Sequence, residues 1–344
     1  MLEFADRPTS PLTDFKNGKG PILDVRSPVE FERGHIPGAI SFPLFSNDER
    51  QKIGIVYNRS GSDKAIKMGF DFANPKRAEL IEKALELAPN GRLRVHCWRG
   101  GLRSKSVAWL LSENGFEVIA LRGGYKSYRN WVLETVARPM HLVVVRGLTG
   151  AGKTRLLHAL ERLGEQILDL EGLANHRGSS FGGLGMDPQP TTQQFGNVIA
   201  ETLNEFDFKK TIWIEAESSR IGECWVPDSL MSAMKTADSI EIRRSFDERL
   251  RELVEVYGKA QTSELAKSTR DIEKRLGGKR TQDVLSCLKE ADIEGACTHL
   301  LGYYDSAYNN FTREVSGEQL IVDITGLTDT EAAKIVRESV SKQR

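Results

Sequence analysis

Two short segments contain residue types that could bind anions and carry out chemistry. The first is HCWRGGLRS, residues 96–104, in which a cysteine stands among arginines and glycines. The second is GLTGAGKT, residues 147–154. Glycine-rich turns that lead into a helix bind phosphate-like groups through backbone N–H groups. The sequence therefore predicts two anion sites, one of which contains a thiol.

The first segment favours a nucleophilic cysteine. A predicted strand, RLRVH (92–96), delivers Cys97 to a loop, and a helix is predicted from Ser104. Helix N-termini and nearby arginines favour the thiolate, which is the reactive form of cysteine. We predict that Cys97 is catalytic. The predicted anion loop consists of Arg99, Gly100, Gly101, Arg103 and Ser104. Cys224, Cys287 and Cys297 lie in ordinary sequence and are predicted to be structural.

The spacing of the cysteine loop leaves a second chemistry open. HCWRGGLRS also fits the HC-x5-R-S pattern of cysteine-dependent phosphatases. Such an enzyme needs a general acid, and Asp63 and Asp71 are loop candidates that nothing else in the sequence singles out.

The second segment fits the P-loop pattern G-x-x-x-x-G-K-[ST], between a predicted strand and a predicted helix. Gly147, Gly150 and Gly152 would let backbone N–H groups approach a diphosphate. Lys153 would neutralise phosphate charge, and Thr154 could bind Mg²⁺. The strand TIWIEAES, 211–218, offers glutamates but no aspartate for magnesium, which counts against a nucleotide hydrolase.

A third concentration of polar residues lies in ANHRGSSFGGLG, residues 174–185. Its composition predicts an ordered loop that meets phosphate or substrate, although a solvated surface loop has the same composition. The additional cleft candidates are His176, Arg177, Ser179, Ser180, Glu215, Glu217 and Arg220.

Bulk properties indicate an ordinary globular protein. The 344 residues suggest two domains, and 39% hydrophobic and 28% charged residues are typical of globular chains. No apolar run is long enough to suggest a membrane span, and MLEFADRPTS does not resemble a secretory signal. Four scattered cysteines favour a reducing compartment, so we expect a cytoplasmic protein. Residues 91–155 hold twelve lysines and arginines against three glutamates, a net +9 that favours an anionic partner.

Alternating strand and helix patterns predict an α/β fold with mostly parallel sheets. Arg138-Pro139 is the predicted boundary, which gives domains 1–137 and 138–344. Residues 245–313 are predicted to be a helical, charge-rich insertion that could bind tRNA.

The N-terminal part resembles rhodanese domains. The resemblance rests on DVRSPVEFERGHIPGAISFPL (24–44), on HCWRGGLRS at the active-loop position, and on GFEVIALRGGYKSYRNW (115–131). It implies a rhodanese-like fold and a Cys97 that carries a transferable sulfur or selenium atom.

Both parts together resemble the tRNA 2-selenouridine synthase family, through CWRGGLRS, GLTGAGKT, ANHRGSSFG and EAESSRIG in that order. The resemblance implies a transferase that converts wobble 2-thiouridine to 2-selenouridine. Geranyl diphosphate would first alkylate the sulfur, and selenium from selenophosphate would then replace it. The P-loop would hold the diphosphate, and Cys97 would take the selenium or otherwise assist this second half. No tightly bound cofactor and no membrane contact are expected, and Mg²⁺ is an optional participant.

A tRNA partner must contact the chain somewhere. The candidate phosphate contacts are Arg243, Arg244, Arg249, Arg251, Lys274, Arg275, Lys279 and Arg280. Tyr303, Tyr304 and Trp225 could stack on a base, although packing in a core would explain each of them.

Two other functions remain possible at this point. One is an ATP-dependent sulfurtransferase or kinase fusion that acts on a small molecule. The other is a non-enzymatic RNA-binding protein in which Cys97 is a redox switch. Nucleotide binding would favour the first, and tolerance of Cys97 replacement would favour the second.

Overall fold

The computed structural model describes residues 8–311 and 317–342, with the side chains of 307–311 excepted. Residues 1–7, which belong to the N-terminal stretch MLEFADRPTS, lie outside this range. Residues 312 and 313, at the end of the predicted helical insertion, also lie outside it. The chain forms two compact units, residues 1–134 and 135–344. No described helix is long and apolar enough to cross a membrane.

The first unit is built on a parallel sheet. Its described strands are β1 (Ile22–Asp24), β2 (Ala39–Ser41), β3 (Arg92–His96) and β4 (Glu117–Ala120). The order across the sheet is β2–β1–β3–β4, so the strand that precedes Cys97 lies in its interior. Leu23, Leu93 and Val95 are fully buried in the core on one face of this sheet.

The helices of the first unit cover the sheet and extend beyond it. They are α1 (Leu12–Asn17), α2 (Pro28–Glu32), α3 (Asn47–Ser60), α4 (Ser62–Ala73), α5 (Arg77–Leu87), α6 (Leu102–Glu113) and α7 (Gly124–Val136). A 3₁₀ turn, Asn74–Lys76, joins α4 to α5. Capping boxes at Ser27 and Ser46 fix where α2 and α3 begin, because each serine and the glutamate three residues on satisfy backbone N–H groups.

The second unit also contains a parallel sheet. Its described strands are β5 (His141–Arg146), β6 (Gln166–Leu168), β7 (Thr211–Glu215), β10 (Asp238–Arg243) and β11 (Gln319–Asp323). The order is β11–β10–β5–β7–β6, with β5, the strand before the P-loop, in the middle. A short antiparallel hairpin is formed by β8 (Arg220–Ile221) and β9 (Cys224–Trp225).

The helices of the second unit flank this sheet or form an insertion between β10 and β11. The flanking helices are α8 (Lys153–Arg162), α9 (Leu170–Ala174), α10 (Thr192–Asn204), α11 (Asp228–Thr236) and α17 (Asp329–Ser341). The insertion contains α12 (Phe246–Tyr257), α13 (Thr262–Asp271), α14 (Glu273–Leu276), α15 (Gly278–Lys289) and α16 (Ile293–Phe311). These helices have a hydrophobic core of their own.

The predicted fold class is confirmed: a rhodanese-like parallel-sheet unit precedes a P-loop α/β unit with a helical insertion. The helix after the cysteine loop begins at Leu102, two residues earlier than predicted, so Arg103 and Ser104 lie inside its first turn. The sequence did not predict the helix pair α3 and α4.

Candidate functional site

The cysteine loop lies at the carboxyl end of β3. Cys97 directly follows the strand, and α6 starts after Gly101, which offers no side-chain cap. The first backbone N–H groups of a helix have no partner within the helix, and here no side chain of the capping residue occupies them. The loop therefore presents uncapped helix N–H groups to an anion, as the sequence predicts.

A second glycine turn fixes the shape of this loop. The N–H group of Tyr125 donates to the Cys97 carbonyl oxygen at 2.8 Å, and that of Lys126 donates to the Trp98 carbonyl oxygen at 2.9 Å. Gly124 has a φ of +59°, and a Cβ there would lie 2.3 Å from the Cys97 carbonyl oxygen. Gly124 is thus a supporting residue of the site that the sequence did not single out.

The Cys97 thiol is nearly buried, with 3% of the residue exposed. Its Sγ atom lies 3.2 Å from the hydroxyl oxygen of Ser104. That hydroxyl also lies 3.2 Å from the Gly101 carbonyl oxygen, to which it can donate. Rotation of the hydroxyl hydrogen lets Ser104 accept from a thiol or donate to a thiolate. Of the predicted loop residues, Ser104 makes the direct side-chain contact with Cys97.

The two loop arginines differ in their surroundings. Arg99 is exposed, whereas Arg103 donates to both carboxylate oxygens of Glu30, at 2.7 and 3.3 Å. Burial opposes the charged form of Arg103, but the hydrogen bond and charge of Glu30 raise the pKa of the guanidinium overall. Burial likewise opposes ionised Glu30, yet Arg103 lowers the pKa of this carboxyl below its usual value. Arg103 is therefore held in place by α2, and an anion must share it with Glu30.

Behind the loop lies a buried polar layer. Arg26 donates to both oxygens of Asp24 and, at 2.7 Å, to the carbonyl oxygen of Gly34. Its guanidinium stacks 3.9 Å from the centre of the Tyr125 ring. His96 is fully buried, and this burial lowers its pKa to about 4, so the ring is neutral near pH 7. Asp24 and Arg26, which belong to the rhodanese-like signature, thus brace the strand ends that carry the loop.

The P-loop follows the middle strand of the second sheet. Its Gly152 is left-handed, with a φ of +84°, and immediately precedes α8 without a side-chain cap. Lys153 donates to the Gly147 carbonyl oxygen at 3.3 Å, across the mouth of the loop. The predicted glycines and lysine are thus brought together at one helix N-terminus.

The helical insertion supports the P-loop from behind. Arg249 donates to the Thr149 carbonyl oxygen at 3.2 Å and forms a two-bond ion pair with Asp305 at 2.8 Å. A Cβ at Gly150 would lie 2.7 Å from the Arg249 carbonyl oxygen, so α12 packs directly on the loop.

The predicted tRNA contacts of Arg244 and Arg249 are wrong, because both side chains are buried beside the P-loop. Arg249 is 4% exposed and Arg244 has a 7% exposed side chain. Arg244 pairs with Glu248 and Asp329, at 3.4 and 3.7 Å. Both arginines are committed to packing around the P-loop, and neither side chain is presented to a partner. Spacing along the sequence could not distinguish them from their exposed neighbours.

Three carboxylates lie beside the P-loop threonine. The Thr154 hydroxyl is 3.2 Å from Glu171 and 3.2 Å from Glu215. Oxygens of Glu171, Glu215 and Glu217 lie within 4.8 Å of one another. Glu215 ends β7, next to β5, and so occupies the position at which the P-loop pattern predicts an acidic magnesium residue. The sequence analysis missed Glu171, which follows β6 in the segment LDLEGLANH.

This acidic cluster, which we define as Glu171, Glu215 and Glu217, resists full ionisation. Burial, followed by repulsion from Glu171 and its neighbours, raises the pKa of Glu215 well above its usual value. The same two causes raise the pKa of Glu217 to about 8. A carboxyl group with the pKa of Glu217 keeps its proton near neutral pH unless a cation replaces that proton. The donor set is all oxygen, which suits Mg²⁺.

The polar loop 174–185 lies against this cluster through its backbone. A Cβ at Gly178 would lie 2.7 Å from a Glu171 oxygen and 2.8 Å from a Glu217 oxygen. The predicted side chains have other partners: Arg177 donates to the Leu184 carbonyl oxygen at 2.9 Å, and the Ser179 hydroxyl lies 3.1 Å from that of Tyr257. The Nδ1 atom of His176 is buried without a hydrogen-bond partner.

The remaining predicted residues, Ser180 and Arg220, are exposed. Ser180 is exposed and accepts from Arg275 at 3.4 Å. Arg220 is exposed on the hairpin, donates to the Gly222 carbonyl oxygen at 2.7 Å and lies 5.8 Å from the ring centre of Trp225. Arg220 is thus placed with an exposed aromatic residue, and its described contacts do not include the acidic cluster.

Both units of the chain are similar to known protein families. Residues 11–130 match the rhodanese-like domain family, and residues 140–323 match the tRNA 2-selenouridine synthase AAA domain. A tRNA 2-selenouridine synthase of Hydrogenovibrio crunogenus is 33% identical, over 90% of this chain and 93% of that protein. The enzyme of the same name from Sulfurovum sp. is 34% identical, over 84% and 88%. That from Shewanella sp. (strain ANA-3) is 35% identical, over 79% and 80%. Since both units match family models and the reported relatives match 79–90% of the chain, the chain belongs to the tRNA 2-selenouridine synthase family of enzymes.

Proposed function

We propose that this enzyme converts the wobble 2-thiouridine of tRNA to 2-selenouridine in two steps, S-geranylation and replacement of the alkylated sulfur by selenium. The observation that carries the proposal is the presence, in a chain of this family, of two uncapped anion loops, one with a thiol and one with a lysine. A thiocarbonyl sulfur leaves poorly, whereas an alkylated sulfur leaves as a thiol. Two steps therefore need two differently equipped anion sites.

In the first step, the P-loop holds geranyl diphosphate. The thiouridine sulfur forms a bond to C1 of the prenyl chain as the C1–oxygen bond breaks. The electron pair leaves with the diphosphate, and the base loses its N3 proton. Lys153 and the N-terminal amides of α8 stabilise the charge of this leaving group, which is the usual role of preorganised donors.

The acidic cluster fits a divalent cation in this step. Thr154 and the three carboxylates provide oxygen donors, and Glu215 is fully buried beside the loop. A bound Mg²⁺ would neutralise charge on the diphosphate.

In the second step, the cysteine loop holds the phosphate end of selenophosphate. Selenium forms a bond to C2 of the base while the bond from C2 to sulfur breaks, and geranyl thiol leaves. Water cleaves the selenium–phosphorus bond, so the products are 2-selenouridine, geranyl thiol and phosphate. Cys97 assists selenium transfer, and Ser104 hydrogen-bonds to its sulfur.

The tRNA would contact exposed basic residues of the insertion. Lys274, Arg275, Lys279 and Arg280 are exposed at the corner between α14 and α15. Arg275 also reaches Ser180 in the polar loop beside the acidic cluster. Trp225, at 54% exposed, is available to stack on an unpaired base.

The test is a nucleoside mass assay. Purified protein is incubated with thiolated tRNA and geranyl diphosphate, and selenophosphate is added in a second incubation. Digested nucleosides should gain the mass of a geranyl group and then exchange geranylated sulfur for selenium. The absence of a prenyl adduct on correctly modified tRNA would refute the first step, and an unreacted adduct would refute the second.

One observation favours a second candidate, an ATP-dependent sulfurtransferase or kinase fusion. Glu215 lies 3.2 Å from Thr154, the arrangement that a nucleotide–magnesium complex uses. Titration with Mg-ATP and with geranyl diphosphate separates the two. Tighter binding of ATP, with phosphate release that depends on a small thiol substrate, would favour this alternative.

A further inference from the structure

An apolar cavity lies in the first unit, between the helix pair α3–α4 and the helices α5 and α6. Its volume is about 550 Å³, within the range of roughly 300–1,000 Å³ that small-molecule sites occupy. Side chains that line it include Leu44, Phe45, Ile53, Ile66, Phe70 and Trp109. The polar lining residues are few, so the cavity suits a hydrocarbon ligand.

The cavity adjoins the cysteine loop along the chain and in space. Leu102 and Arg103, which line it, directly follow Gly101 and form the first turn of α6. Ser106 and Val107, one turn further on, continue the same wall. A ligand in the cavity therefore lies against the helix whose N-terminus forms the anion loop of Cys97.

The helices α3 and α4 leave this cavity open. None of the residues of α3 is buried, and Ala65 is the buried residue of α4. Tyr57 lines the cavity yet is 60% exposed. Apolar side chains that face an open cavity lack the stabilisation that close packing gives. An apolar ligand in the cavity would restore that stabilisation.

The charges around the cavity also restrict its ligand. Its two cationic lining residues are already engaged: Arg103 with Glu30, and Arg77 over the Trp109 ring, 5.5 Å from the ring centre. No glycine cradle lies among the lining residues, so the cavity is not built for a diphosphate. It fits an uncharged hydrocarbon chain whose polar end projects outward.

We propose that this cavity binds the ten-carbon prenyl chain of the reaction, and the inference rests on the proposed function for the identity of that chain. The chain belongs to geranyl diphosphate before prenyl transfer and to the S-geranylated nucleoside afterwards. In the second case, the cavity places the sulfur to be expelled next to the loop that delivers selenium. Geranyl thiol then leaves from the cavity.

Gly69 on α4 provides the test. A Cβ there would lie 3.5 Å from the Phe45 ring and 4.0 Å from Ile53, so it is accommodated at ordinary contact distance. The rest of a leucine side chain in Gly69→Leu would occupy the cavity. Leucine is also a better helix former than glycine, so folding should be preserved. The matched control is Gly54→Leu on α3, which does not line the cavity and meets only the flexible Arg50 side chain.

Binding is measured by calorimetry on the full-length protein, without turnover. The ligands are S-geranyl-2-thiouridine and geranyl diphosphate, with S-methyl-2-thiouridine and inorganic diphosphate as short controls. Gly69→Leu should weaken binding of at least one geranyl ligand by about tenfold or more, because several carbons lose their apolar contacts. The short ligands, and Gly54→Leu with every ligand, should be unaffected.

The outcomes separate the sources and the hypotheses. A loss restricted to the nucleoside assigns the cavity to the selenium step, and a loss restricted to geranyl diphosphate assigns it to the donor. Unchanged binding of both geranyl ligands would overturn the prenyl site. If both bind through the cavity but the wild-type protein modifies no tRNA, the proposed function fails while the site stands.

Discussion

The cysteine loop and the P-loop use the same structural device in two different electrostatic settings. Each follows a strand in the interior of a parallel sheet, and each leads into a helix whose capping glycine leaves the first N–H groups uncapped. The first loop contains a thiol and a serine, and its arginine pairs with a glutamate. The second loop contains a lysine and lies beside three carboxylates. In both loops the backbone N–H groups supply the affinity for an anion. The side chains in and beside each loop select the chemistry that follows.

The largest expected effects come from removing the reactive side chain of each loop in turn. Cys97→Ala should abolish selenium insertion and leave prenylation intact, because the thiol takes no part in binding diphosphate. Lys153→Ala should lower prenylation by about 10²–10³, the cost of removing one preorganised donor. The measurement is the ratio of geranylated to selenated nucleoside by mass spectrometry.

Each variant is the control for the other. Lys153→Ala should still insert selenium into tRNA that has been geranylated chemically beforehand. The comparison breaks if Cys97→Ala inserts selenium at the normal rate, or if both variants lose the same step.

A second test concerns the glycines that shape the two loops. Gly124→Ala should destabilise the protein by about 2–4 kcal/mol, because the left-handed backbone and the contact with the Cys97 carbonyl must both be relieved. Gly150→Ala should do the same for the P-loop, where Leu253 and Arg249 are the obstacles. Urea unfolding monitored by circular dichroism gives both values.

Gly101→Ala is the matched control for these variants. Its φ is −91°, and a Cβ there has no neighbour within 4 Å among the described residues. We expect its stability to change by about 0.5 kcal/mol or less. Equal destabilisation at Gly101 and Gly124 would show that the second glycine turn does not fix the loop.

The glycine test also shows what the sequence could and could not predict. Motif spacing predicted both loops, Cys97, Lys153 and Thr154, because those residues are local in the chain. It did not predict Gly124, Glu171 or Arg249 as their supports, because strands and helices far along the chain deliver these residues. The α3–α4 cavity was missed for the same reason: four helices create it, and no short pattern records their packing.

The third test uses pH, since the two units should respond with opposite sign. Glu217, with a pKa of about 8, keeps a proton that the unfolded chain has lost. Its stabilising contribution is complete below pH 4.5 and disappears as the pH rises through 8. His96, with a pKa of about 4, contributes stability above pH 6.5 that disappears as the pH falls through 4.

Glu215→Gln should therefore flatten the alkaline loss of stability in the absence of metal, since it removes one of the repelling carboxylates. Wild-type protein should regain stability at pH 8.5 when Mg²⁺ is added, and the variant should regain less. Thermal unfolding at pH 6.0 and 8.5, with and without Mg²⁺, gives the four values. A wild-type midpoint that is unaffected by Mg²⁺ at pH 8.5 would contradict the assignment of the acidic cluster to a cation.

The smallest expected effect comes from the hydroxyl groups in the first turn of each helix. The Ser104 hydroxyl contacts the Cys97 sulfur, whereas the Thr154 hydroxyl contacts two carboxylates. The two hydroxyl groups should therefore affect different steps of the reaction. Ser104→Ala should slow selenium insertion by about fivefold, the value of one hydrogen bond, without any dependence on Mg²⁺. Thr154→Ala should instead slow prenylation and raise the Mg²⁺ concentration that is required.

Ser112→Ala, at the far end of α6, should change neither rate. If Ser104→Ala responded to Mg²⁺, or Thr154→Ala slowed selenium insertion alone, the division of labour between the two loops would be wrong.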